Sequence, residues 1–150
     1  MDIQVRDTTF TNIGSAASAS LQIFSTGAST ATVLCKGNHF NSPAPGLALE
    51  TNLFAKATWF VVENVGHYTG NTSPLYPFSF LANSIATGTL YLVDNFASNN
   101  GYLLINSSTS TFNAASLDLS PAGLENLNTG SFTITGPITY IPFDSNLIPE

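Results

Sequence analysis

Charged side chains are scarce in this sequence. Asp, Glu, Lys and Arg make up 8% of its 150 residues, against roughly a quarter in an ordinary globular domain. Basic residues are scarcer still: Arg6, Lys36 and Lys56 are the only three. From residue 68 onward there is no Lys, Arg or His, while Asp94, Asp118, Glu125, Asp144 and Glu150 make that half acidic. With a formal net charge of −6, no patch can neutralise a run of phosphates, which excludes nucleic acid as a partner. Adhesion to an anionic membrane is disfavoured for the same reason.

Cysteine is nearly missing as well. Cys35 stands alone, so no internal disulfide framework can form. No apolar run approaches the length of a membrane span, and the first twenty residues lack the basic start and apolar core of a signal peptide. The expectation is a protein made in a host cytoplasm that reaches its working place as part of a particle. Helical periodicity is the last absence. One stretch alone, "LSPAGLENL" at 119–127, reads as a helical turn, with Ser120 as its cap and Pro121 in the first helical position.

What fills these gaps is Ser, Thr and Asn, at 17, 18 and 15 residues about a third of the chain. Hydroxyls and amides therefore solvate the surface in place of ions. A hydrophobic content of 43% is too high for a disordered chain and at this length suits one domain. The apolar runs are short, β-branched or aromatic, and broken by Gly, Pro, Asn and Ser, which predicts strands and turns. Candidate strands are 3–5, 21–24, 32–35, 47–49 and 58–63, then 78–81, 89–93, 102–105, 131–135 and 138–141. "GNTSPLYPF" reads as an extended crossover over 71–77, and "GSFTITGPITYIPF" as a hairpin across Gly136–Pro137 that leaves an exposed acidic tail.

Three stretches fall into register: "VRDTTFTNIG", "CKGNHFNSP" and "VENVGHYTG". Each is a strand, a polar kink, an aromatic (Phe10, Phe40, Tyr68) and a small polar turn, with weaker echoes at Phe96 and Phe112. A repeat of this length is what successive coils of a parallel β-solenoid give, aromatics stacked inside and Asn in the turns. The predicted fold is thus all-β, a single domain over 1–150. A short parallel β-helix occupies 1–70 and an irregular β part 71–150. An antiparallel sandwich or jelly roll is the alternative.

Chemistry is thinly represented. Cys35 and His39 are four apart, and under the repeat His67 aligns with His39, so a thiol and two imidazoles could gather. A zinc site wants about four ligands, and a thiol nucleophile wants a base and an oxyanion hole. Neither set is complete, and a buried Cys acting as a small hydrophobe is the simpler reading. Glycan cleavage needs two carboxylates in one cleft. The repeat places Asp7 and Glu63 two rungs apart beside Arg6 and Lys36, an arrangement that balances charge on a lateral face. Trp59, Tyr68, Tyr76, Tyr91, Tyr102 and Tyr140 could serve as stacking platforms for a bound glycan, although "ATWFVVENV" alternates like a buried strand and assigns Trp59 to the core. The Asn-X-Ser/Thr matches at Asn71 and Asn106 read as accidents of composition. No catalytic residue, metal site or cofactor is therefore assigned. The residues singled out are structural: Phe10, Phe40, Tyr68 and Trp59.

At "TTFTNIG", "GNHFNSP" and "GHYTG" the chain resembles the β-helical and β-sandwich proteins of tailed-bacteriophage particles. These include tail-spike shafts and the trimeric decoration, or cement, proteins that clamp capsids. The resemblance lies in texture, few charges with many Asn, Thr, Ser and Gly, and transfers no functional residue. It implies a non-enzymatic virion protein, a homotrimer seated on the major capsid protein. The alternatives are a receptor- or glycan-binding module of a tail fibre or spike, and a small polysaccharide-degrading β-helix.

Overall fold

A computed structural model describes residues 1–11, 19–43, 45–70, 76–98, 101–116 and 132–150. The chain winds as a parallel β-solenoid of about four turns. The first coil is β1 (Asp2–Arg6), β2 (Thr9–Thr11) and β3 (Leu21–Ser25). The second is β4 (Thr30–Lys36), β5 (His39–Ser42) and β6 (Leu47–Thr51). The third is β7 (Lys56–Val62), β8 (Val65–Tyr68) and β9 (Phe78–Ala82), and the fourth β10 (Thr87–Val93), β11 (Phe96–Ala97) and β12 (Tyr102–Asn106). β13 (Thr111–Ser116), β14 (Phe132–Thr135) and β15 (Thr139–Tyr140) continue the winding. Like strands of successive coils pair in parallel to build three sheets: A (β1-β4-β7-β10-β13-β15), B (β2-β5-β8-β11) and C (β3-β6-β9-β12-β14).

The solenoid therefore does not stop at residue 70, and β9 to β13 extend the same sheets with the same geometry. The 136–137 segment is no hairpin. β14 pairs with β12 in sheet C and β15 with β13 in sheet A, so Gly136 and Pro137 turn a corner between sheets. The predicted helical turn at 119–127 lies outside the described residues.

Alternation decides which side chains go inside. In sheet A the inward rows are Ile3–Val33–Trp59–Leu90–Ala114 and Val5–Cys35–Val61–Leu92. In sheet C they are Leu21–Leu47–Phe78–Tyr102 and Ile23–Leu49–Phe80–Leu104–Ile134. These rows meet in one core, with Trp59, Phe78, Phe80 and Tyr102 fully buried. Bulk at one position is matched by its absence at a neighbouring one, in the next coil or on the adjoining sheet. A Cβ on Gly88 would come within 3.0 Å of the Trp59 ring, and one on Gly66 within 2.9 Å of Phe78.

The corner between sheets A and B is built on a column of amides. Asp7, Gly37, Glu63 and Asp94 each end a sheet-A strand in left-handed conformation, with φ of 47°, 67°, 55° and 53°. A single such residue swings the chain into sheet B. The next residue is Thr8, then Asn38, Asn64 and Asn95, and all three Asn are completely buried. Each Asn Oδ1 accepts the backbone N–H of the residue one coil earlier: Thr8 to Asn38 (3.1 Å), Asn38 to Asn64 (3.0 Å) and Asn64 to Asn95 (2.9 Å). Each Nδ2 donates back to a carbonyl of the preceding coil, on Val5, Cys35 and Val61 in turn. The corner between sheets C and A is equally regular, a four-residue turn at 26–29, 52–55, 83–86 and 107–110, with Asn52 and Asn83 accepting from the next backbone N–H.

The C-terminal segment has a use that its acidic ends disguise. Asp144 and Glu150 are exposed, but Ile141, Phe143 and Ile148 pack on the outer face of sheet A. That face carries Leu34, Phe60, Val62, Tyr91, Val93 and Ala115, with Phe60 and Tyr91 stacked at 4.9 Å. The strap runs back to the first coil, where the Arg6 guanidinium donates to the Glu150 carbonyl. It covers an apolar stripe that water would otherwise meet.

Two outcomes follow. Asn64→Ala removes the acceptor of the buried Asn38 amide and one of the donors to the Cys35 carbonyl, at about 1–3 kcal/mol for the orphaned amide. Urea unfolding should show a loss on the order of 3 kcal/mol, whereas a loss below about 0.5 kcal/mol, the size of an ordinary surface change, would mean the column is not structural. A chain ending at Pro137 should bind an apolar fluorescent dye that the full chain ignores; equal dye binding by both would contradict the strap.

Candidate functional site

The reactive-looking segment around Cys35 comes apart in three dimensions. Cys35 is wholly buried in sheet A among Val5, Val61 and the core, and burial pushes its thiol from about 9 up to about 12. A thiol held protonated is a poor nucleophile and a poor metal ligand. His39 and His67 point the other way, into solvent on the outer face of sheet B.

The structure corrects the register of the repeat. Phe10 pairs with Phe40, and their rings stack at 4.9 Å and 7°. The next partner of Phe40 is Gly66, and Tyr68 stands two residues further on, opposite Ser42. Gly66 vacates the space, and Phe78 from sheet C fills it, edge-on to Phe40 at 6.0 Å and leading to Tyr102 at 5.4 Å. The aromatic stack thus crosses from one sheet to another. His39 likewise pairs with Val65 and not with His67, which stands opposite Asn41. Of the echoes, Phe96 faces outward and Phe112 lies in sheet A against Trp59, 5.9 Å away.

Asp7 and Glu63 do share a turn position two coils apart, with Gly37 between them and Asp94 following. Asp7 leans over Gly37 into the space a side chain would need. All three carboxylates are exposed. Among the described residues, no group of three His, Cys, Asp or Glu is placed to hold a metal. The platforms expected for a glycan are also withdrawn: Trp59, Tyr68, Tyr91 and Tyr102 are buried, and Tyr140 alone of the six is exposed. Asn71 lies outside the described residues, and Asn106 is buried with its amide donating to the Pro137 carbonyl.

Two surfaces remain. On the outer face of sheet B, Thr9, Thr11, His39, Asn41 and His67, floored by Phe40, line a depression of about 340 Å³. The other carries large apolar side chains among polar ones. Register aligns Phe24, Glu50, Leu81, Ile105 and Thr135 in one outward row of sheet C, with Gln22, Ala48, Ser79, Leu103 and Thr133 in the neighbouring row. The adjoining corner adds Leu53, Phe54 and Ile85, which are 46%, 65% and 50% exposed, and Phe24 is 47% exposed. Glu50 is the only charge in these rows, and partial burial raises its carboxyl above the usual value. Sequence patterning could have found this face, because the sheet-C strands read "LQIF", "LALE", "FSFLA" and "YLLIN", apolar on both sides of the alternation.

Comparison with protein-family models, with curated proteins and with solved structures gives no match.

The state of Cys35 is directly measurable. A thiol reagent at pH 8 should leave the folded chain untouched and titrate one equivalent once urea unfolds it; prompt reaction without urea would contradict its burial. The sign of the pH effect also follows. Between about 9 and about 12 the unfolded thiol has lost its proton and the folded one has not, so stability falls as pH rises through that window.

Proposed function

We propose that the chain is a non-enzymatic structural subunit of a virus particle, a capsid decoration protein. It works by burying apolar surface against copies of itself and against the major capsid protein. The observation that carries this reading is the set of exposed apolar side chains on sheet C and its corner. Phe24, Leu53, Phe54 and Ile85 stand in solvent, next to half-buried Leu81, Leu103 and Ile105. A contiguous patch of this kind marks a surface meant for another protein, and a second copy in a homotrimer is its occupant. A chain this poor in charge offers little electrostatic resistance to such contact.

The sheet ends favour assembly too. Among the described residues, β1, β2 and β3 close one end of their sheets and pair on one side only, as do β15, β11 and β14 at the other. Unpaired strand edges are templates for a neighbouring chain.

Light scattering tests the oligomer. The wild type should run at three times its 15.8 kDa protomer mass, and Phe54→Ser combined with Ile85→Ser should shift it to the monomer with unchanged far-ultraviolet circular dichroism. A wild type that is monomeric at all concentrations overturns the trimer. Co-sedimentation with purified empty capsids tests the partner, and failure to bind shells together with retention on a host glycan would overturn the decoration reading.

A further inference from the structure

The geometry points to a cation site on the outer face of sheet B: His39 and His67, with Asn41 beside them, form a chelate for one borderline divalent ion such as Zn²⁺, Ni²⁺ or Cu²⁺. These are the only two histidines in the chain. Both are exposed, and each sits between inward-facing buried neighbours, His39 beside Asn38 and Phe40, His67 beside Gly66 and Tyr68. They therefore project from the same face. The register pairs His39 with Val65 and Asn41 with His67, so His67 stands one strand across and two residues along from His39. Strand spacing of ~4.8 Å and a rise of ~3.3 Å per residue put their Cα atoms about 8 Å apart. Two imidazoles inclined toward each other across that gap can both reach one ion at ~2.0–2.1 Å.

The surroundings suit such an ion. Asn41 lies directly opposite His67 and offers an amide oxygen as a third donor. The depression of about 340 Å³ that these three line with Thr9, Thr11 and Phe40 leaves room for water to complete the shell. No charged side chain lines it, so no ammonium competes with the cation. The Phe96 ring, on the strand beyond His67 from His39, lies 5.5 Å from the imidazole, so chelation requires the His67 ring to turn from Phe96 toward His39. Two imidazoles with one amide oxygen select a borderline metal, because Mg²⁺ and Ca²⁺ require hard carboxylate oxygens. The site lies on a different sheet from the apolar face, so it stands or falls independently of the assembly reading.

Calorimetry with Zn²⁺ on the full chain should give one equivalent bound with a dissociation constant in the micromolar range. His39→Ala and His67→Ala should each weaken binding on the order of ten-fold, and Asn41→Ala less. All three positions are exposed, so circular dichroism should be unchanged in every variant. Substoichiometric Cu²⁺ should broaden the C2 proton resonances of both histidines together. Absence of saturable heat up to ~1 mM Zn²⁺, a constant that corresponds to only about −4.1 kcal/mol, would overturn the site. So would wild-type affinity in the double variant, or broadening of one histidine alone.

Discussion

The column of buried amides at the corner between sheets A and B is the constraint from which the rest follows. Each Asn side chain satisfies a backbone donor in one coil and a backbone acceptor in another, so slipping any coil would orphan several interior polar groups at once. Pairing between parallel strands fixes spacing but tolerates sliding; the column removes that freedom. It also offsets the left-handed backbone of Glu63 and Asp94, residues that accept such a conformation far less readily than the glycine at position 37.

With that corner pinned, variation in coil length is displaced elsewhere. Asn38 to Asn64 spans 26 residues and Asn64 to Asn95 spans 31. The turns from sheet C to sheet A are always four residues, and the difference lies in the connections from sheet B to sheet C, 43–46 in one coil and 69–77 in the next. Because all coils start in step, outward side chains also line up, and the three outer faces acquire separate characters. Sheet A is apolar and strapped by the chain's own C-terminus, sheet B is polar with the two histidines, and sheet C and its corner expose large apolar side chains.

The solenoid was legible because its signals are local: short β-branched runs, turn residues between them, and a recurrent strand-kink-aromatic unit. The register was not, because aligning Phe10, Phe40 and Tyr68 assumes that each sheet-B strand supplies its own inward aromatic. Gly66 breaks that assumption by ceding space to Phe78, a residue twelve positions later on another sheet. A firmer signal was present in "LCKGN", "FVVEN" and "YLVDN", where Asn follows an apolar strand end at fixed offset. Its unequal periods of 26 and 31 hide it from any search for one repeat length. The strap was illegible for a related reason: Asp144 and Glu150 make the tail look solvated, while Ile141, Phe143 and Ile148 reach a face that exists only once the coils are stacked.

Native-state hydrogen exchange tests the amide column most directly. If it sets the register, the backbone amides of Asn38 and Asn64 should exchange only through global unfolding, as slowly as those of Val33 and Leu90 in the core strands. Exchange of the two Asn amides at loop rates, while the core strands stay protected, would contradict the account.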